Sequence, residues 1–207
     1  MAITTPEEMQ KIVRRISKTD PAFKVLIKSS ELCSIGAKRN SRGHYETLVS
    51  SILSQQLATK AAETIRNRVK TMAGGKISPE SIAPLTAVDL RGAGVSGAKA
   101  RAISELTHAT INGDINFHKF PKMSNAQISE ELTALWGVGR WTVEMFLMFH
   151  LGRLDVWPVG DLGVRRGWEK LHQLPSQIKP EELDLLGDQF PGYQSVVAWY
   201  CWRALEN

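Results

Sequence analysis

Cysteine is nearly absent. The 207 residues hold only Cys33 and Cys201, far apart in sequence, which excludes a four-cysteine zinc or iron–sulfur site and suits a reducing compartment, with both thiols expected in the core. No apolar run is long enough to cross a bilayer, and residues 1–20 are amphipathic and polar rather than signal-like. The expected location is therefore the cytosol or nucleoid of a bacterium, or the nucleus of a eukaryote, with no membrane contact. Sustained period-two alternation is missing too, and with it any basis for a sheet. What is present is a 43% hydrophobic chain carrying 26 Lys and Arg against 21 Asp and Glu. That composition can bury a full core and leaves a net charge of +5, mildly favourable to a polyanion and no proof of one.

The apolar residues recur at helical spacing almost throughout, so the fold is expected to be all-α. Thr5-Pro6-Glu7-Glu8 carries the cap residue, first-turn proline and acid that start a helix, with Ile12, Val13 and Ile16 on its inner face. Residues 37–44 form a basic polar loop ahead of a core helix through Tyr45, Leu48, Val49, Ile52 and Leu53, which Ser54-Gln55-Gln56 closes. Ser124-Asn125-Ala126-Gln127 is a capping box leading into the stretch around which the chain is organised.

That stretch is residues 132–161. Gly137-Val138-Gly139 makes a tight turn between two helices, where backbone amides at the start of a helix near Arg140 can face an anion such as a phosphate. Gly160-Asp161 then opens a further helix, bringing a carboxylate on a loop. Residues 90–97, Leu-Arg-Gly-Ala-Gly-Val-Ser-Gly, echo the Leu-x-Gly-x-Gly pattern in weaker form. A structural helix connection is the simpler reading of that echo, and its functional meaning stays open.

Four segments carry a resemblance that covers nearly the whole chain: Ile52 to Leu57 with Ala61-Ala62; Gly94-Val95-Ser96 with Lys99-Ala100; Leu135 to Thr142; and Asp155 to Asp161. Together they resemble the helix-hairpin-helix DNA glycosylases that share a Gly/Pro-rich loop and an Asp, and within that superfamily the 3-methyladenine, or alkylbase, branch. The resemblance implies a single glycosylase domain of two helical lobes with an active-site cleft between them. Residues 42–153 would form the hairpin lobe, and 1–41 would close with 154–207 as the other, in a compact form without the additional N-terminal β domain of some relatives.

The implied activity is excision of alkylated purines, of the 3-methyladenine and 7-methylguanine type, from double-stranded DNA in base excision repair by a monomer. A flipped nucleotide needs a grip, a plug and a pocket. The resemblance gives the grip to Gly137, Val138, Gly139, Arg140 and Thr142, in this family often with a monovalent cation, Na+ or K+, on the hairpin carbonyls. No other cofactor and no metal are expected. The plug falls on Gln56, where relatives often carry leucine. The pocket falls on Trp141, Trp157, Tyr193 and Met145, since aromatic faces would stack an electron-poor alkylated base; core packing is the expectation for Trp136, Trp168, Trp199 and Trp202. Asp161 would stabilise the positive charge that develops on the sugar, while its rival role is to cap a helix. Relatives that also cut the strand use a lysine where this chain has Trp141, so a monofunctional enzyme is implied. A glycosylase for deaminated or mismatched bases and a non-catalytic hairpin module that only holds DNA remain the alternatives. Gln194-Ser195 stands where relatives often have Arg-Ser, and Gly192 where several have an aromatic.

Overall fold

The computed structural model describes residues 3–38 and 40–206, so the Arg39 part of the expected basic loop lies outside the described residues. The described residues form helices and turns without a strand, in agreement with the all-α reading, and no helix is long and apolar enough to cross a membrane. The chain divides into two compact units, Met1–Arg39 with Leu147–Asn207 and Asn40–Phe146. The expected boundary after residue 153 falls instead inside the hairpin helix, between Phe146 and Leu147. Phe146 belongs before it because its ring packs on Phe120 and His44.

The first unit holds α1 (Pro6–Thr19), α2 (Phe23–Ser29), α10 (Leu162–His172), α11 (Pro180–Gly187) and α12 (Gln194–Glu206). α1 starts as its sequence requires, with Thr5 Oγ1 accepting the Glu8 amide at 3.2 Å and Glu8 Oε2 accepting the Thr5 amide at 2.8 Å. Its core is aromatic: Phe23 meets Trp168 and Phe190 edge-on or tilted, and Trp168 stacks on His172 at 4.1 Å. His172 joins the start and end of the chain, its Nε2 lying 2.7 Å from Asp20 Oδ2 while Nδ1 donates to the Trp168 carbonyl. Cys33 and Cys201 are buried free thiols, as expected, and burial pushes the Cys33 thiol up to about 12 and Cys201 up as well.

The second unit holds α3 (His44–Ser54), α4 (Thr59–Met72), the short α5 (Pro79–Ile82) and α6 (Ala87–Gly92), α7 (Gly97–Asn112), α8 (Asn125–Thr133) and α9 (Arg140–Met145). Leu48, Ile52, Ile103, Leu106, Ile128 and Leu132 are sealed from solvent because each falls on the apolar face that its helix spacing sets. A 2.6 Å hydrogen bond between the Tyr45 and Thr107 hydroxyls ties α3 to α7. α6, the turn at 93–96 and α7 make the second helical hairpin that the echo of the Leu-x-Gly-x-Gly pattern suggested. α9 runs straight on into a π-helical turn, Phe146–His150, a geometry found mostly as single turns and often at functional sites.

A candidate nucleic-acid grip and a candidate catalytic carboxylate

The geometry of the hairpin follows from one glycine. Gly137 has φ +81°, and a Cβ there would come within 2.7 Å of the Ala102 Cβ on α7. Only glycine satisfies both the left-handed backbone and that contact. Gly139, by contrast, has open space where a Cβ would go and caps α9, whose first turn closes with Val143 donating to the Gly139 carbonyl at 3.2 Å. The amides at the start of α9 therefore have no acceptor in their own helix and sit at its positive end. Arg140 lies beside them with an exposed side chain, its Nε donating at 2.9 Å to the buried Glu144 carboxylate.

Two members of the expected grip do something different. The Val138 amide donates to the Leu135 carbonyl at 3.2 Å and its side chain is buried, so it closes the turn rather than facing solvent. Thr142 is 3% exposed and its Oγ1 accepts from Gln55 Nε2 at 3.2 Å, so the hydroxyl is an internal strut. Helical spacing places position 142 on the inner side of α9, which is why a hydroxyl there turns to a partner within the unit.

Gln56, Trp141 and Met145 are brought together. They line one cavity of about 450 Å³ in the second unit with Ser51, Ser54, Gln55, Leu57 and Thr142. Trp141 is 50% exposed, an open aromatic face rather than a core ring. Gln56 stands at the tip of the turn after α3 with φ +55°, a left-handed conformation that costs a non-glycine residue roughly 1 kcal/mol or more.

Trp157 and Tyr193 belong to the other unit. Trp157 lies in the first unit with its indole N–H donating to the Leu183 carbonyl at 2.9 Å, wedged where a Cβ on Gly187 would meet it at 2.5 Å. Tyr193 is 5% exposed, edge-on to Phe190 at 6.1 Å with the Arg15 guanidinium over its ring. Within that unit Tyr193 is buried among its neighbours, whereas Trp157 is half-buried and tethered through its indole N–H.

Asp161 is the N-cap of α10. Its Oδ1 accepts two hydrogen bonds, from the Val164 amide at 2.8 Å and from the Trp202 indole N–H at 2.9 Å. Its own amide donates to the Pro158 carbonyl at 2.9 Å, and the loop before it is stapled by the fully buried Ser195. Ser195 Oγ accepts from the Val156 amide at 3.0 Å and donates to the Val156 carbonyl at 3.1 Å. Trp202 in turn lies against the exposed ring of Phe149 at 5.7 Å, tilted by 32°.

Trp202 corrects the sequence reading, which placed it with the core tryptophans. Trp168 and Trp199 are core; Trp136 is not, being 41% exposed with the Arg101 guanidinium 4.3 Å above its ring. Phe149, the ring against Trp202, is not singled out by the sequence. For Trp202 no sequence signal was available, because the partner lies 41 residues away.

The arrangement can be set beside known proteins. Residues 49–189 match the family model described as HhH-GPD superfamily base excision DNA repair protein. DNA-3-methyladenine glycosylase 1 of Schizosaccharomyces pombe is 34% identical, the match covering 95% of this chain and 91% of that protein. A DNA-3-methyladenine glycosidase structure from Bacillus halodurans superposes with a TM-score of 0.84 at 33% identity, covering 99% of this chain and 91% of that one. A 3-methyladenine DNA glycosylase from Schizosaccharomyces pombe, solved with abasic DNA, superposes at 0.80 and 33% identity, covering 93% and 95%.

Proposed function

Because the chain belongs to the HhH-GPD superfamily of base excision DNA repair proteins, we propose that it is a monofunctional glycosylase that flips alkylated purines from duplex DNA and hydrolyses their N-glycosidic bonds. The observation that carries this reading is Asp161, a carboxylate fixed by two donors on one oxygen at the head of a helix. A helix cap needs only the first donor. The second, an indole N–H, holds the carboxylate in one orientation, as electrostatic stabilisation of a developing charge requires.

A purine alkylated at N3 or N7 already carries positive charge, so it departs with the electron pair of the C1′–N bond without needing a general acid. The sugar is left with oxocarbenium character, which Asp161 offsets, and water adds at C1′ while its proton passes to the carboxylate or to solvent. The α9 amides and Arg140 would grip a backbone phosphate, Gln56 would fill the vacated space, and Trp141 with Met145 would offer the apolar face beside it. Trp141 also stands where a lyase would need an amine, so the abasic product should remain uncut.

The monovalent cation implied by the family fits the chemistry of the turn. Neutral backbone carbonyls are the ligands such ions take, and the Leu135 and Gly137 carbonyls, which accept from the Val138 amide and Gln55 Nε2, each keep a second lone pair. An ion there would brace the turn. Among the described residues no group of three His, Cys, Asp or Glu could hold a metal.

The test is base release from methylated duplex DNA by the wild-type protein and by Asp161→Asn. The wild type should liberate 3-methyladenine or 7-methylguanine without an added cofactor, leave the strand intact until alkali, and give no borohydride adduct. Asp161→Asn keeps the cap but loses the charge, so excision should fall on the order of a hundredfold or more while DNA affinity holds. A wild type that releases nothing sinks the proposal. An Asn variant that melts early yet excises normally would make Asp161 a cap and nothing more.

A further inference from the structure

The turn that ends α3 is built in a form its own sequence disfavours. Gln55 has φ −49° and ψ 128°, Gln56 has φ +55°, and the Leu57 amide donates to the Ser54 carbonyl at 3.1 Å. These are the features of a type II turn, whose third position ordinarily takes glycine or asparagine. Here that position carries an exposed glutamine at the tip, on the rim of the cavity shared with Trp141. Something other than local preference must hold it.

Two side chains do. Gln55 Nε2 donates to the Gly137 carbonyl at 3.3 Å and to Thr142 Oγ1 at 3.2 Å, tying the turn to the phosphate hairpin. From the other side Lys99 Nζ donates to the Leu53 carbonyl at 2.8 Å and to the Gln55 carbonyl at 2.7 Å. Lys99 lies in the first turn of α7, where Ser96 caps the helix, so its own helix dipole opposes the ammonium. It reaches instead to the last carbonyls of α3, where a helix leaves acceptors unpaired and favours a positive charge. Partial burial lowers its pKa, and the two carbonyls replace water around the ammonium.

We infer that Lys99, delivered by the second helical hairpin, is the positioning residue of the DNA wedge: with Gln55 it holds the 54–57 turn so that Gln56 projects into the space a flipped base leaves. This gives the echo of the Leu-x-Gly-x-Gly pattern at 90–97 a role. It places one lysine. The inference rests on the glycosylase reading, because a wedge matters only where a base leaves the stack.

A wedge acts on stacked duplex and has nothing to fill in a single strand. Single-turnover excision is therefore compared on duplex and single-stranded oligonucleotides carrying one methylated purine, with Lys99→Met, Lys99→Arg and Gln56→Gly. Lys99→Met keeps the stem and loses the charge, so duplex excision should fall tenfold to a hundredfold, single-strand excision should be unchanged, and Lys99→Arg should restore the duplex rate. Gln56→Gly relaxes the turn and folds whatever becomes of the lysine variant; it should show the same duplex-only loss. Fluorescence of a 2-aminopurine opposite an abasic analogue reports unstacking without any excision, and Lys99→Met should reduce it. Equal losses on both substrates, or no loss on either, would overturn the role of Lys99. A wild type that excises from neither substrate yet unstacks the probe in a Lys99-dependent way would instead overturn the glycosylase reading and leave the wedge in place.

Discussion

Asp161 shows how one oxygen can serve two purposes. The Val164 amide and the Trp202 indole both point at Oδ1, so the bond that starts α10 and the bond that orients the carboxylate share an atom. They can be separated by changing the donor. Trp202→Phe removes the indole N–H but keeps an aromatic ring against Phe149. A hydrogen bond to a charged group is worth about 1.5–3 kcal/mol, so loss of orientation should slow excision roughly tenfold or more while the helix cap persists. Single-turnover base release and a melting curve on the same preparation check this; an unchanged rate would return Trp202 to the packing residues.

At the scale of elements, the crossing of α10 and α12 decides whether Trp202 can reach Asp161 at all. Gly163 and Gly167 lie four apart on one face of α10. A Cβ on Gly167 would stand 1.9 Å from the Cys201 carbonyl oxygen, and one on Gly163 would stand 2.9 Å from Trp202 Nε1 and 3.0 Å from Asp161 Oδ1. These two substitutions should fail in different ways. Gly167→Ala must push two helix backbones apart, costing about 3 kcal/mol as overpacking does, and a chain of this size should then melt on the order of 10 °C lower. Gly163→Ala displaces a side chain rather than a backbone, so its melting point should move less and its excision rate more. Thermal denaturation and base release together distinguish them.

For the whole molecule the relevant quantity is charge. A net +5 with an amide-rich hairpin predicts DNA binding dominated by phosphate contacts, with log affinity falling linearly against log salt by about 0.9 per phosphate neutralised. Gly139 is the position at which to test the hairpin, since it borders open space, whereas any side chain on Gly137 would strike α7 and confuse binding with folding. Gly139→Leu should weaken binding to every DNA sequence alike, with little change in melting, in a fluorescence titration at several salt concentrations. Unchanged affinity would place the phosphate grip elsewhere.

By itself the sequence determined the helices, their starts and the kind of chemistry. Thr5-Pro6-Glu7-Glu8 and Ser124 to Gln127 form the capping boxes their residues announce, because a cap is settled within four residues. The Gly at 137 and the Asp at 161 were legible for a similar reason: a left-handed turn position and a helix start favour those residue types. Tertiary structure alone decided which side chains face one another. That Trp202 turns to Asp161, that Lys99 reaches the end of α3, and that Thr142 braces Gln55 are contacts between residues 41 to 87 positions apart. The same packing buried Tyr193 and tethered Trp157, both of which sequence had offered to the base pocket. Residue type states what a side chain can do; only the crossing of helices, set here by Gly163, Gly167 and Ala102, states what it can touch.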